Sequence, residues 1–374
     1  MLRKLLLGAA LALSPLAQAD IIIGQSVPTT GLVANTGKAL ALGASLYFSR
    51  VNANGGINGE PINHLVRDDG YDPKRTIANT RDLIDKEGAI ALVSYYGTAT
   101  MTELEKSKVL DNAGIALVGV HSGADVLRAP SSSLFVFHTR ASYRQEVDRI
   151  VNLLAGNLGV TRIGVIAQQD GYGQAGYGAL KDALAKRNLT LAGEAWYDRN
   201  TGDTGKAAKE LAKANPEAVV LITVSKPAAT FVKQFRAAGG TAQLYGLSPI
   251  QFEEVIQTVG KKEAHGLGIS EVLPYPRNEQ LRFVREFQQD AAAVLRNGDV
   301  PSYAVMEGYL SARLVVEALK RAGKSPTRSA VYNGLTSLKR YDLGGFIIDF
   351  GDKKRTGSNF VELTMISPTG TLTR

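Results

Sequence analysis

The feature that most limits what this chain can become is an alternation, kept up for most of its length, between short apolar runs rich in β-branched residues and longer stretches with helical spacing. A parallel sheet built from strand–helix–strand units is written this way, because its strands are covered on both faces and its return connections are helices. The first run is Ile21-Ile22-Ile23, followed by a glycine-bearing loop over 28–37 and a segment over 38–52 in which Leu42, Leu46 and Val51 fall on one helical face. The pattern predicts further strands over 62–67, 89–93 and 115–119, with a helix after Pro73 and another ending at Ala113. After a Ser- and Pro-rich stretch over 130–133 it starts again, with helices over 143–158, 176–187, 204–215 and 227–238 between strands over 162–167, 191–197, 218–223 and one ending at Leu247. Two α/β lobes, each with a parallel sheet, are the expected fold class. The remaining helical stretches, over 278–293, 302–322 and 329–338, and the β-like pieces over 345–350 and 360–366 are too little for a third such domain.

Ahead of that pattern, Arg3 and Lys4 precede an apolar stretch from Leu5 to Leu13, shorter than the roughly 20 residues of a membrane-spanning helix. Leu16-Ala17-Gln18-Ala19 puts small residues where a signal peptidase cuts, so residues 1–19 read as an export leader cleaved before Asp20. The chain has no cysteine, which removes a lipid anchor at the cleavage point, thiolate metal sites, thiol catalysis and disulfides. Removal of the leader leaves about 350 residues, enough for two domains. The formal net charge is +8, yet the basic residues are scattered among acidic neighbours, which argues against nucleic acid as a partner. No other segment approaches the length of a membrane span, so a soluble periplasmic protein is expected.

Particular residues then narrow the reading. The run from Arg50 to Ile62, Arg-Val-Asn-Ala-Asn-Gly-Gly-Ile-Asn-Gly-Glu-Pro-Ile, followed by Arg67-Asp68-Asp69 and Tyr71-Asp72-Pro73, resembles the second-strand signature of the type I periplasmic binding proteins, typified by the leucine/isoleucine/valine-binding protein of ABC transporters. Pro301-Ser302-Tyr303, Glu307-Gly308-Tyr309, Glu317-Ala318-Leu319 and Ala322-Gly323 are similar to that family's C-terminal helices, and Tyr341-Asp342-Leu343-Gly344-Gly345 to its final crossover. The resemblance covers nearly the whole chain after the leader. It implies two Rossmann-like lobes joined by a three-strand hinge, with crossings near Thr139, Ile269 and Gly345. Lobe 1 would then comprise 20–139 and 270–344, and lobe 2 would comprise 140–269 and 345–374. It further implies a solute-binding component of an ABC transporter that traps a small organic acid or amino acid by hinge closure. The same fold admits a sensing protein that presents its closed form to a membrane receptor. An inner-membrane permease is the implied partner, and a monomer is expected by analogy.

Ligands of open α/β sheets sit at the carboxyl ends of the strands, so the loops after the strands supply the candidates. In lobe 1 these are Tyr96, Gly97, Thr98 and Thr100 after the third strand and His121, Ser122, Gly123 and Ala124 after the fourth, with Tyr95 as a further aromatic. In the family the corresponding loops hold a carboxylate, a role open to Thr98, Thr100 and Ser122; these residue types also serve as ordinary helix caps. Thr36 stands where the family has an aromatic contact. In lobe 2, Tyr172 matches an aromatic wall, Ser225 and Lys226 precede a helix beginning near Pro227, and Ser248 lies where amino acid-binding members commonly carry an acid. With that acid absent and Lys226 facing either the cleft or solvent, the pocket is expected to suit an anion better than a zwitterion. Asp125 and Asp170 remain as partners for an ammonium.

Gly171-Tyr172-Gly173-Gln174-Ala175-Gly176 spells a dinucleotide fingerprint, with Glu194 downstream, but Gln168, Gln169 and Asp170 separate its first glycine from the strand. The four histidines, His64, His121, His138 and His265, have no metal-binding spacing, and Gly246-Leu247-Ser248-Pro249-Ile250 lacks the second glycine of a hydrolase elbow. No catalytic residue, metal ligand or cofactor is expected.

Overall fold

The computed structural model describes residues 20–295, 301–352 and 354–374; the leader proposed over 1–19 lies outside the described residues. Strands β1 (Ile21–Val27), β2 (Ile62–Asp68), β3 (Ala91–Tyr96), β4 (Leu117–His121) and β5 (Val136–Phe137) form a parallel sheet in the order β2-β1-β3-β4-β5. All six residues of β3 and all five of β4 are buried, as strands covered by helices on both faces must be. The second sheet contains β6 (Ile163–Gln168), β7 (Leu191–Tyr197), β8 (Ala218–Ile222), β9 (Gln243–Gly246) and β10 (Gly268–Glu271), all parallel. A small antiparallel ladder, β11 (Tyr341–Asp342) with β12 (Ile347–Ile348), precedes β13 (Glu362–Ile366) and β14 (Leu372–Thr373), which extend the second sheet antiparallel beyond β10. The fold is therefore two α/β lobes with parallel sheets.

Three passages connect the sheets. The chain leaves β5 through 138–142, where Ser142 and Gln145 form a capping box that starts the helix Tyr143–Val151. It leaves β10 to build helices Arg282–Val294, Tyr303–Ala322 and Arg328–Thr336, then returns through 354–361 to β13. The first and last passages run side by side, with His138 N donating to Arg355 O at 2.6 Å and Gly357 N to His138 O at 2.8 Å.

Helix Tyr303–Ala322 packs along helix Ala34–Ala53 and against β3 and β4. Two glycines set the separation: a Cβ on Gly43 would lie 1.8 Å from Val305 O, and one on Gly308 would lie 2.0 Å from Leu40 O. Backbone cannot yield as a side-chain tip can, so Gly308→Ala is expected to cost about 1–3 kcal/mol. Urea unfolding of the variant checks this, and an unchanged midpoint would show that the helices slide apart freely.

The segment Tyr71-Asp72-Pro73 has a direct structural reading. Asp72 accepts hydrogen bonds from Lys74 N and Arg75 N, and Pro73 occupies the first helical position of Pro73–Asp85. Three elements depart from the sequence expectation. Helix Phe252–Ala264, broken by Gly260 at φ 82°, is not among the expected helices. The short β5 extends the first sheet to five strands. The helix expected over 143–158 is regular only to Val151 and continues as a wider π turn over Asn152–Asn157. Among the described residues no helix is long and apolar enough to cross a membrane.

Candidate functional site

The carboxyl ends of the two sheets face each other across a narrow aromatic chamber of about 10 Å³, closed down to the size of a water molecule. The first sheet contributes Tyr71 from the loop after β2, Tyr96, Gly97 and Thr98 from the end of β3, and His121 from the end of β4. The second side contributes Tyr143, Tyr172, Val224 and Pro249. Tyr96 stacks on His121 with ring centroids 5.1 Å apart at 12°, Tyr71 meets Tyr96 edge-on at 5.2 Å, and Tyr143 lies 5.0 Å from Tyr172. Burial pushes the Tyr71, Tyr96 and Tyr172 phenols well above their ordinary range, so the walls are neutral hydroxyl-bearing rings. Gly97 has φ 93°, and a Cβ there would strike the Tyr71 ring at 2.4 Å. Only glycine lets that ring close the chamber.

Polar contacts already span the cleft. Tyr71 Oη donates to Asp170 Oδ2 at 3.2 Å, and Gln168 Nε2 donates to Tyr71 Oη at 3.3 Å. Arg199 donates to Tyr71 O at 2.7 Å while its guanidinium lies 4.0 Å from the Tyr71 ring centre. An open groove of about 940 Å³ shares Thr98 and Tyr143 with the chamber and forms its mouth. Arg144 crosses that mouth, donating to Asp125 and Asp182 at 2.8 Å each.

Beneath the chamber lies a buried charge network that joins the lobes. Arg140, 0% exposed on the first passage, is 3.4 Å from Glu307 and 3.0 Å from His121 Nδ1. Its other terminal nitrogen donates to Ser248 Oγ and lies 3.6 Å from Glu146. Glu146 in turn accepts from Ser248 N at 2.8 Å, Ser248 Oγ at 2.9 Å and Ser270 Oγ at 2.7 Å. Burial alone would raise the Glu307 pKa, but the charge of Arg140 and the contact with His121 outweigh it and hold the value down to about 2.

The chamber brings together Tyr96, Gly97, Thr98, His121 and Tyr172 from the sequence candidates. Ser122 supports it, sharing a 2.7 Å hydrogen bond with Thr98. Gly123 O accepts from Tyr143 N at 2.7 Å, while Arg128 holds Ser122 O and Ala124 O at 3.0 Å, so this loop is a backing layer. Thr100 donates its hydroxyl back to Tyr96 O and Gly97 O, which is neither a contact with the chamber nor a cap, since a cap accepts from backbone N–H. Tyr95 points into the core and bonds Thr80. Thr36 lines a separate groove with Glu253 and Glu254, and Ser225 Oγ accepts from Gln251 N. Lys226 is exposed at the start of helix Ser225–Ala237, so the solvent alternative holds and the cation expected to favour an anion is elsewhere. Ser248 faces Glu146 and Arg140: an acid does stand beside this position, supplied by a residue about a hundred positions earlier and neutralised by Arg140.

Tyr71, Tyr143, Val224 and Pro249 were missed. Tyr71 follows a strand end like the other candidates, and applying that rule to β2 would have found it; Tyr143 follows no strand directly and carried no such signal. The glycine spelling at 171–176 serves packing instead. Asp170 caps the helix by accepting from Tyr172 N and Gly173 N, filling the anion position a pyrophosphate would need, and a Cβ on Gly173 would lie 1.8 Å from Gln168 O.

A sequence model described as periplasmic binding protein matches residues 20–370. An amino acid binding protein of Pseudomonas aeruginosa is 30% identical over 263 residues, 68% of each chain. A Leu/Ile/Val-binding protein homolog of Brucella abortus is 25% identical over 374 residues, covering 94% of this chain and 90% of its own. The crystal structure of a substrate-binding periplasmic protein from Ralstonia solanacearum superposes with a TM-score of 0.90 at 38% identity, covering 94% of this chain and 99% of that one.

Proposed function

The chain belongs to the periplasmic binding protein family, and from that premise we propose that it is the exported, soluble solute-binding component of an ABC transporter. It traps a small carboxylate-bearing solute, an organic acid or an amino acid, and hands it to an inner-membrane permease without altering it. The observation that carries this reading is the chamber itself, walled by aromatic rings from both sheets and closed down to water size, so that a guest enters as the two sides part. Gly97 precedes helix Thr98–Lys106 without any side-chain cap, so the leading amides of that helix are available to a carboxylate, with the Thr98 hydroxyl held beside them by Ser122. The names of the relatives, amino acid binding and Leu/Ile/Val-binding, belong to the same class of guest.

We place the moving units at 20–139 with 270–344 and at 140–269 with 345–374, hinged on the three passages. The contacts of Tyr71 with Asp170 and Arg199, and of Arg144 with Asp125, are then closed-state latches, while Asp182 holds Arg144 from within its own unit. Thermal unfolding of the protein from Asp20 onward against amino acids, aromatic acids and aliphatic dicarboxylates tests the proposal. A guest at a hundred times its Kd adds about 2.7 kcal/mol, which is expected to raise the Tm by roughly 5 °C. Tyr172→Ala should abolish that rise. No response to any small acid, with or without an amino group, would overturn the trap.

A further inference from the structure

Resting on the trap reading, we infer that the chamber selects carboxylic acids that lack an α-ammonium group, and that His121 Nε2 is the donor that meets the carboxylate. His121 is 3% exposed and lines the chamber, and its Nε2 is buried with no hydrogen-bond partner. A buried polar atom left unpaired is costly, a penalty that a guest relieves by bonding to it. The other ring nitrogen is committed: Nδ1 lies 2.8 Å from Glu307 Oε2 and 3.0 Å from an Arg140 terminal nitrogen. A carboxylate arriving at Nε2 must receive a proton there, so the bound ring presents Nε2–H to the guest. Arg140 balances the Glu307 carboxylate.

An ammonium meets the opposite conditions. None of the residues lining the chamber carries a carboxylate. Three acids built around it are spent: Asp170 on Tyr172 N, Gly173 N, Tyr71 and Gln168, Glu307 on His121 and Arg140, Glu146 on Ser248 and Ser270. Burial pushes the carboxyl of Glu271, behind that network, well above its range and toward the neutral form. A buried cation without a counter-charge is strongly disfavoured, so of two guests with one carbon skeleton, the one without the amino group fits.

Calorimetric titration with matched pairs tests this: phenylpyruvate against phenylalanine, ketoleucine against leucine, and succinate against aspartate. At least one desamino acid is expected to bind about tenfold or more tightly than its amino partner, and His121→Gln to weaken it by tenfold or more. Nitrogen NMR of histidine-labelled protein supplies a second reading that does not depend on the variant folding. On binding, His121 Nε2 should take the signature of a protonated, hydrogen-bonded nitrogen. Tighter binding of the amino partner in every pair that binds, or an unprotonated Nε2 with guest bound, overturns the inference and leaves the trap standing. No binding in any pair overturns both.

Discussion

Replacing Arg140 by Met is expected to lower the unfolding free energy by about 3–5 kcal/mol, because removal of one partner from a buried charge network leaves the others uncompensated. Met keeps most of the volume, so packing is not the main loss. What is lost is the guanidinium placed between Glu307 of helix Tyr303–Ala322 and Glu146 of helix Tyr143–Val151, all three nearly or fully out of water. The same variant should weaken guest binding, since Glu307 then has no counter-charge when it orients His121. Urea unfolding measures the first effect. Adding Glu307→Gln and Glu146→Gln to Arg140→Met should recover much of the stability, because neutral amides do not need the missing charge. Failure of the triple variant to recover would mean that the fork geometry of the guanidinium, rather than its charge, carries the network.

The second large effect is a loss of stability between pH 5 and 8. Burial pushes the Glu253 carboxyl up to about 7 from its ordinary 4.5, and its Oε2 has no partner. Burial, then the neighbouring Asp111, pushes Glu105 up to about 7 as well, and its Oε1 is likewise unpaired. A group whose folded pKa is raised binds its proton more tightly in the folded chain, so its stabilisation is complete below pH 4.5 and lost as the pH climbs to 7. A shift of this size is worth on the order of 2–3 kcal/mol per group, discounted for residual solvent contact. Glu307 works in the other direction: held near 2, it stabilises above pH 4.5 and ceases to as the pH falls toward 2. Stability should therefore peak near pH 5. Glu253→Gln and Glu105→Gln should each stabilise the protein at pH 8 by about 1–3 kcal/mol and flatten the profile between pH 5 and 8. A profile equally steep in both variants would assign the slope to other groups, Glu271 first, whose carboxyl is raised well above its range by burial and then by Glu253.

The sequence by itself determined the two α/β lobes and the loops of the candidate site. These follow from periodicity and from turn chemistry such as Asp72-Pro73, which act over a few residues and are written locally. The return of the C-terminal helices is implied by the family resemblance of 301–323, not by periodicity. It also reached Tyr96, Gly97, Thr98, His121 and Tyr172, because strand ends place their loops at the cleft. Only the tertiary structure decided which of the polar candidates face the chamber. Thr100 and Ser225 are consumed by nearby backbone, Lys226 looks to solvent, and Ser248 is bound to an acid that lies far away in the chain. That Glu146, Arg140, Glu307 and His121 form one buried network depends on passages that fold back across the whole molecule. Charge pairing of this kind is set by distance in space and by exclusion of water. Neither quantity is carried by the order of residues along the chain.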